Sequence, residues 1–97
     1  MPTYIGLLKL TDQGIRNIKE APQRIENGIK AYEAMGGKFI GFYVVLGEYD
    51  YVVIGDAPSD EAHVAFSLAL ASEGFVRTTT LRAFTKEEFA EIVKKLP

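Results

Sequence analysis

The chain of 97 residues contains no cysteine, one histidine and no strong excess of either charge, with 11 basic residues against 13 acidic. Without cysteine, a disulfide framework and thiolate metal sites are excluded. A single histidine, His63, rules out a multi-histidine metal site within one chain. The net charge of −2 comes without a basic stripe or tail, so nucleic acid is not an expected partner. No apolar run reaches the roughly 18 residues of a membrane span, so a membrane is not an expected partner either. The N-terminal MPTYIGLLKL carries one late Lys and runs into a polar Thr-Asp-Gln-Gly, unlike a secretory leader, so a cytoplasmic location is expected. No phosphate loop, metal-ligand spacing or dinucleotide fingerprint is present, and no cofactor is expected.

What is there is a soluble composition, 47% apolar and 25% charged, in the length of one domain over residues 1–97. Residues 3–10, TYIGLLKL, are β-branched, aromatic and apolar and read as a first strand. The period then changes. Ile15, Ile18, Ile25, Ile29 and Tyr32 recur at helical spacing and are expected to line one face. Pro22 suits a first helical turn, so a short turn or two near 12–20 should precede a main helix from Ala21 to Met35, stopped by Gly36-Gly37. Residues 38–46 and 49–56 read as two strands joined by a two-residue Gly47-Glu48 hairpin turn. Ser59 should cap a second helix running to Glu73, with Asp60 and Glu61 in its first turn. Residues 75–84 form a fourth strand, and Thr85-x-x-Glu88 is a capping box before a short last helix.

The order β-α-β-β-α-β is the split-βαβ, or ferredoxin-like, α+β pattern. It implies an antiparallel sheet in the order 4-1-3-2, with two helices on one face. The strands themselves do not alternate apolar with polar, as a sheet with one wet face should. Ile5 and Leu7 oppose Tyr4, Leu8 and Leu10; Ile40, Phe42, Val44 and Leu46 oppose Phe39, Tyr43 and Val45. The last helix is too short to cover four strands. A second copy against the bare face, a homodimer, is therefore expected.

The same topology gathers polar residues. The starts of strands three and four lie beside the end of strand one, which collects Lys9, Thr11, Asp12, Arg16, Glu48, Tyr49, Asp50, Arg77 and Thr78 at one edge. Lys9, Arg16, Tyr49, Asp50 and Arg77 are the candidate ligand-binding residues. Asp50 has two readings. It ties the hairpin down by accepting backbone N–H groups of the Thr11–Ile15 loop or by pairing with Lys9 or Arg16, or it orients a ligand or accepts a proton. Tyr49 reads as an interface or core aromatic. Gly6, Gly41 and Gly55 stand inside strands, where glycine marks a bulge, a close approach or space for a ligand. His63 and Ser67, four apart among apolar neighbours, read as the exposed stripe of the second helix. Arg77, Thr78-Thr79-Thr80 and Arg82 read as a polar edge strand.

Three stretches, YIGLLKLTDQGIRNIKE, MGGKFIGFYVVLGEYDYVVIGDAPSDE and VRTTTLRAFTKEEF, resemble the GYD-domain family within the dimeric α/β-barrel superfamily. Its Gly-x-Tyr-Asp signature is matched by Gly47, Tyr49 and Asp50. The resemblance spans about residues 2–93 and implies the fold and dimer just described, and no particular reaction. The segment GEYDYVV is also similar to the hairpin of the effector-binding domain of the leucine-responsive (Lrp/AsnC) regulators, which implies small ligands held between subunits. Here there is no helix-turn-helix beside it. Three functions are consistent with the sequence. One is a small-molecule-binding or regulatory homo-oligomer, with a small polar or anionic ligand near Lys9, Arg16, Asp50 and Arg77 or at the dimer interface. The second is a cofactor-independent enzyme using Asp50, Tyr49 or His63 as acid–base groups. The third is a purely structural assembly protein.

Overall fold

The apolar periods resolve, in a computed structural model describing residues 1–97, into β1 (Thr3–Leu10), α1 (Asp12–Arg16), a 3-10 turn (Ile18–Glu20), α2 (Ala21–Ala34), β2 (Lys38–Val44), β3 (Tyr51–Asp56), α3 (Asp60–Ser72), β4 (Val76–Ala83) and α4 (Lys86–Val93). Helix starts are fixed by side chains that satisfy the free N–H groups of a first turn. Thr11 accepts from the Gly14 N–H at 3.1 Å and Ser59 from the Ala62 N–H at 3.1 Å. Thr85 and Glu88 form the reciprocal box expected before α4. Gly36 and Gly74, at φ 98° and 87°, end α2 and α3 in the left-handed region that glycine enters without strain.

All strand pairs are antiparallel and the sheet order is β2-β3-β1-β4, the expected order read from the other edge. Three local expectations change. The β2–β3 connection is longer than two residues, from Val45 to Asp50, with Gly47 at φ 110°. Only one further ladder bond, Val45 N–H to the Asp50 carbonyl at 2.9 Å, continues the hairpin. The reason is that Asp50 turns toward β1: its own N–H donates to the Leu8 carbonyl at 2.9 Å. Leu46 is left wholly in water. Second, a bulge between Phe39 and Gly41 puts Phe39 and Phe42 on one face, opposite Gly55 and Val53. Unbroken alternation would have separated them. Third, the 3-10 turn breaks the helical period, so Ile15 and Ile18 stand exposed while Ile25 and Tyr32 pack inward.

The core lies between the sheet and the helices in two clusters. Tyr4, Tyr32 and Ala57 form one, with Met35 and Phe66 against them. Leu8, Tyr51 and Val76 form the other, with Leu10, Ile25, Phe42, Val53 and Leu70. Along the inward face of β1, Tyr4 and Leu8 are separated only by Gly6, which has no side chain to join the clusters. The other face of the sheet carries Ile5, Leu7, Val52, Ile54, Tyr43 and Leu81, and no helix packs across it. From Phe84 to Pro97 every residue is exposed, including the apolar stripe of α4.

Candidate functional site

The polar residues expected at one edge of the sheet do reach the same end. The register pairs Lys9 with Arg77 and Leu8 with Tyr51. Lys9 Nζ lies 3.7 Å from the Glu48 carboxylate and 5.5 Å from the centre of the Tyr49 ring. The Asp50 carboxylate accepts the Leu10 N–H at 2.8 Å. Asp50 is thus a tie between the β2–β3 connection and β1, through the residue just before the Thr11 loop rather than within it. Thr11 adds a second tie, with its N–H on the Phe75 carbonyl at 3.0 Å and its hydroxyl on the Gly74 carbonyl at 2.5 Å. Arg16 and Arg77 stand exposed and make no ion pair.

A different feature opens on the helix side of the sheet. A cavity of about 320 Å³ lies between β1, β3, β4 and the helices α2 and α3. That volume is at the small end of the range for ligand sites, roughly 300–1,000 Å³. None of Lys9, Arg16, Tyr49, Asp50 and Arg77 lines it. Its walls are mostly apolar: Leu8, Leu10, Phe42 and Val53 from the sheet, Ile25 and Ile29 from α2, Phe66 and Leu70 from α3. Gly6 and Gly28 both line it: at Gly28 in α2 an added Cβ would meet nothing within 4 Å, whereas at Gly6 it would already lie 3.1 Å from the Leu8 side chain. Gly28 weakens the helix by about 1 kcal/mol relative to alanine, although a methyl group would fit there.

The polar end of the cavity is an aromatic cluster. His63 stacks on Tyr4 with ring centres 4.1 Å apart and meets the edge of Tyr32 at 5.9 Å. The Tyr32 hydroxyl is 3.5 Å from His63 Nδ1, and its ring also meets Phe66 edge-on at 5.0 Å. Tyr32 is fixed from behind by bare backbone. A Cβ at Gly37 or Gly55 would lie 2.5 or 2.8 Å from its ring. The Tyr4 hydroxyl donates to the Asp60 carboxylate. Burial pushes the Tyr4 hydroxyl up to about 12, and the Asp60 hydrogen bond adds to this. Burial, then the Asp56 charge, pushes Tyr32 up to about 12. Burial lowers His63, with Asp60 acting the other way. At neutral pH this end therefore presents two phenols and an uncharged imidazole.

His63 is the residue that the sequence misplaced. Along α3 it is Val64 and Leu68 that face water, while His63, Phe66, Ser67 and Leu70 line the cavity. Between Ala62 and Ala71 the helix is apolar on nearly every side, so the two polar residues there, His63 and Ser67, gave a false exposed stripe. The only warning was that this stripe held so few polar residues. His63 and Asp50 also lie at opposite ends of β1. Tyr4 and Leu10, their respective partners, are six residues apart, about 20 Å in a strand. Asp50, Tyr49 and His63 are not brought into one acid–base site.

Fold and surface together describe a small α+β domain with an apolar pocket between sheet and helices and an uncovered apolar sheet face. The chain matches the GYD domain over residues 4–93 and belongs to that family. It is 42% identical over 85 residues to a protein of Thermus thermophilus named a glutamine synthetase and cystathionine beta-lyase binding protein, covering 86% of this chain and 88% of that one. No solved structure gives a significant match. Family and relative point to a binding or regulatory role. No helix is long and apolar enough to cross a membrane.

Proposed function

We propose that the chain is a homo-oligomeric binding domain of regulatory type that holds a small molecule between its sheet and helices and acts through protein partners. The cavity carries this reading. Dense packing is the rule in protein interiors, and here a space of about 320 Å³ remains, with Gly28 on its α2 wall where a side chain would meet nothing within 4 Å. The test is a thermal-shift screen against a metabolite library, run in parallel on wild type and Gly28→Leu. A leucine at this position fills the cavity from an open wall, so the variant should fold normally and lose the shift. A shift kept by Gly28→Leu and lost by Arg77→Ala would move the ligand to the Lys9, Arg16, Asp50 and Arg77 edge.

Self-association is supported by shape. The accessible surface is 6630 Å², and a compact monomer of 10.7 kDa should expose about 5,500 Å². The radius of gyration is 14.8 Å against about 12.5 Å for a compact chain of this length. Excess surface of this size is comparable to one partner's share of a standard interface, about 800 Å². An isolated eight-residue helix such as α4 is marginal in water and needs a surface to lie on. We therefore assign the outer sheet face and α4 to contacts with a second copy. Light scattering on the eluted protein should give a mass of twice 10.7 kDa or a multiple of it. A monomer mass at all concentrations would remove this part of the proposal. The Thermus relative's name makes metabolic enzymes the first protein partners to try in pull-down experiments.

A further inference from the structure

The cavity also constrains what can occupy it. About 320 Å³ is the scale of a small-molecule site. Two charged side chains line it, Arg24 and Glu73. The Arg24 guanidinium is already engaged, stacked 4.1 Å from the Phe75 ring centre and donating through Nη1 to the Asn17 carbonyl at 3.0 Å. Glu73 is exposed at the end of α3. The Arg24 charge has no carboxylate partner, but it sits at the Phe75 end of the cavity, eight residues or about 12 Å along α2 from Tyr32, so no cation faces a head group at the Tyr32–His63 end, and burying an unpaired charge there is strongly unfavourable. A cation fares no better, because the groups at the polar end, Tyr4, Tyr32 and His63, carry no negative charge at neutral pH.

Hydrogen-bonding capacity is nevertheless present. The Tyr32 hydroxyl and His63 Nδ1 are 3.5 Å apart, a long contact that either can exchange for a better one. The hydroxyls of Ser67 and Thr78 line the cavity and make no hydrogen bond within the protein. The site thus offers dispersion contacts over most of its surface and neutral hydrogen bonds at one end.

We propose that the cavity takes an uncharged, mostly apolar small molecule bearing one hydroxyl or carbonyl group that pairs with the Tyr32–His63 end. This rests on the cavity being the ligand site and adds the chemical class of its occupant. Benzyl alcohol, benzoate, benzylamine and toluene share one ring and differ in the head group, so they separate the two claims. Affinities would be measured at pH 7.5 by titration followed in protein-observed NMR, on wild type, Gly28→Leu and Tyr32→Phe. Benzyl alcohol should bind wild type at least tenfold more tightly than benzoate or benzylamine, and should not bind Gly28→Leu. Tyr32→Phe keeps the ring on Gly37 and Gly55. It should weaken benzyl alcohol about three- to tenfold, the range for one neutral hydrogen bond, and leave toluene unchanged. A purely structural role for Tyr32 would weaken both probes alike. Benzoate or benzylamine binding as tightly as the alcohol, and lost in Gly28→Leu, would overturn the chemical class and leave the site standing. Binding that survives Gly28→Leu, or no binding by any probe at millimolar concentration, would overturn the site itself.

Discussion

The two ends of β1 use polar groups in opposite ways. At the Leu10 end the charged residues are numerous, and those that make contacts make them with each other or with backbone: Lys9 meets Glu48, and Asp50 holds the Leu10 N–H. Arg16 and Arg77 simply face water. At the Tyr4 end there are few polar groups, but they are drawn into an aromatic cluster beside an open space. The density of charge along a sequence marks solvent, and charges in water are weakly coupled to anything. A neutral polar group held among apolar walls is the rarer arrangement and the one suited to selecting a ligand.

The contrast can be tested most forcefully at Tyr32. Tyr32→Ala removes a ring that packs on Gly37, Gly55, His63 and Phe66, and should lower unfolding free energy by about 3–5 kcal/mol in urea titrations. A loss below about 1 kcal/mol would mean the cluster is not structural at all. At the other end, Asp50→Ala leaves the Leu10 N–H without its acceptor. A loss of about 1–3 kcal/mol is expected, with affinity for any cavity ligand unchanged. Asp50→Asn keeps a side-chain oxygen and should recover most of that loss. Equal damage to ligand binding would show that the two ends are coupled.

Acidity separates the ends next. Burial lowers His63 in the folded state below its ordinary value of 6.5. Between those two values the unfolded chain binds the extra proton, so stability is full above about pH 6.5 and falls as the pH drops through that window. The tyrosines work at the other extreme. Tyr4 and Tyr32 are raised from 10.0 to about 12, so the unfolded chain loses protons first and stability falls as the pH rises above 10. Thermal melts from pH 4 to 11 should show both limbs, and His63→Phe should flatten the His63 part of the acid one. The smallest effect is expected for Lys9→Ala. Its pair with Glu48 is long and exposed, and its removal should change stability by no more than about 0.5 kcal/mol.

Much of the architecture could be read in advance from particular residues. Ser59, Thr85 and Glu88 announced helix starts because a capping side chain must sit within three residues of the N–H groups it serves. Gly36 announced a helix end for an equally local reason. The sheet order followed from the order of elements, and with it the meeting of Asp50 with the end of β1. The bulge at Phe39–Gly41 was marked by its glycine, yet the shift of Phe39 to the face of Phe42 needed the partner strand to be seen.

The cavity was harder. Gly6 raised the suspicion of space, but nothing in the sequence set Gly28 apart as the wall position that fronts open space once α2 lies on the sheet. His63 was read on the wrong side because α3 has no clear polar face, and a helix without one does not reveal its rotation. Local hydrogen bonds and hydrophobic period are encoded by residues a few positions apart, so the sequence by itself determined the elements, their caps and their order. The cavity, the inward turn of His63 and its stack on Tyr4 depend on residues up to 59 positions apart meeting through rigid-body packing of a helix on a sheet. Only the tertiary structure decides that, because packing selects the rotation that fills the most space, and here it left a space unfilled.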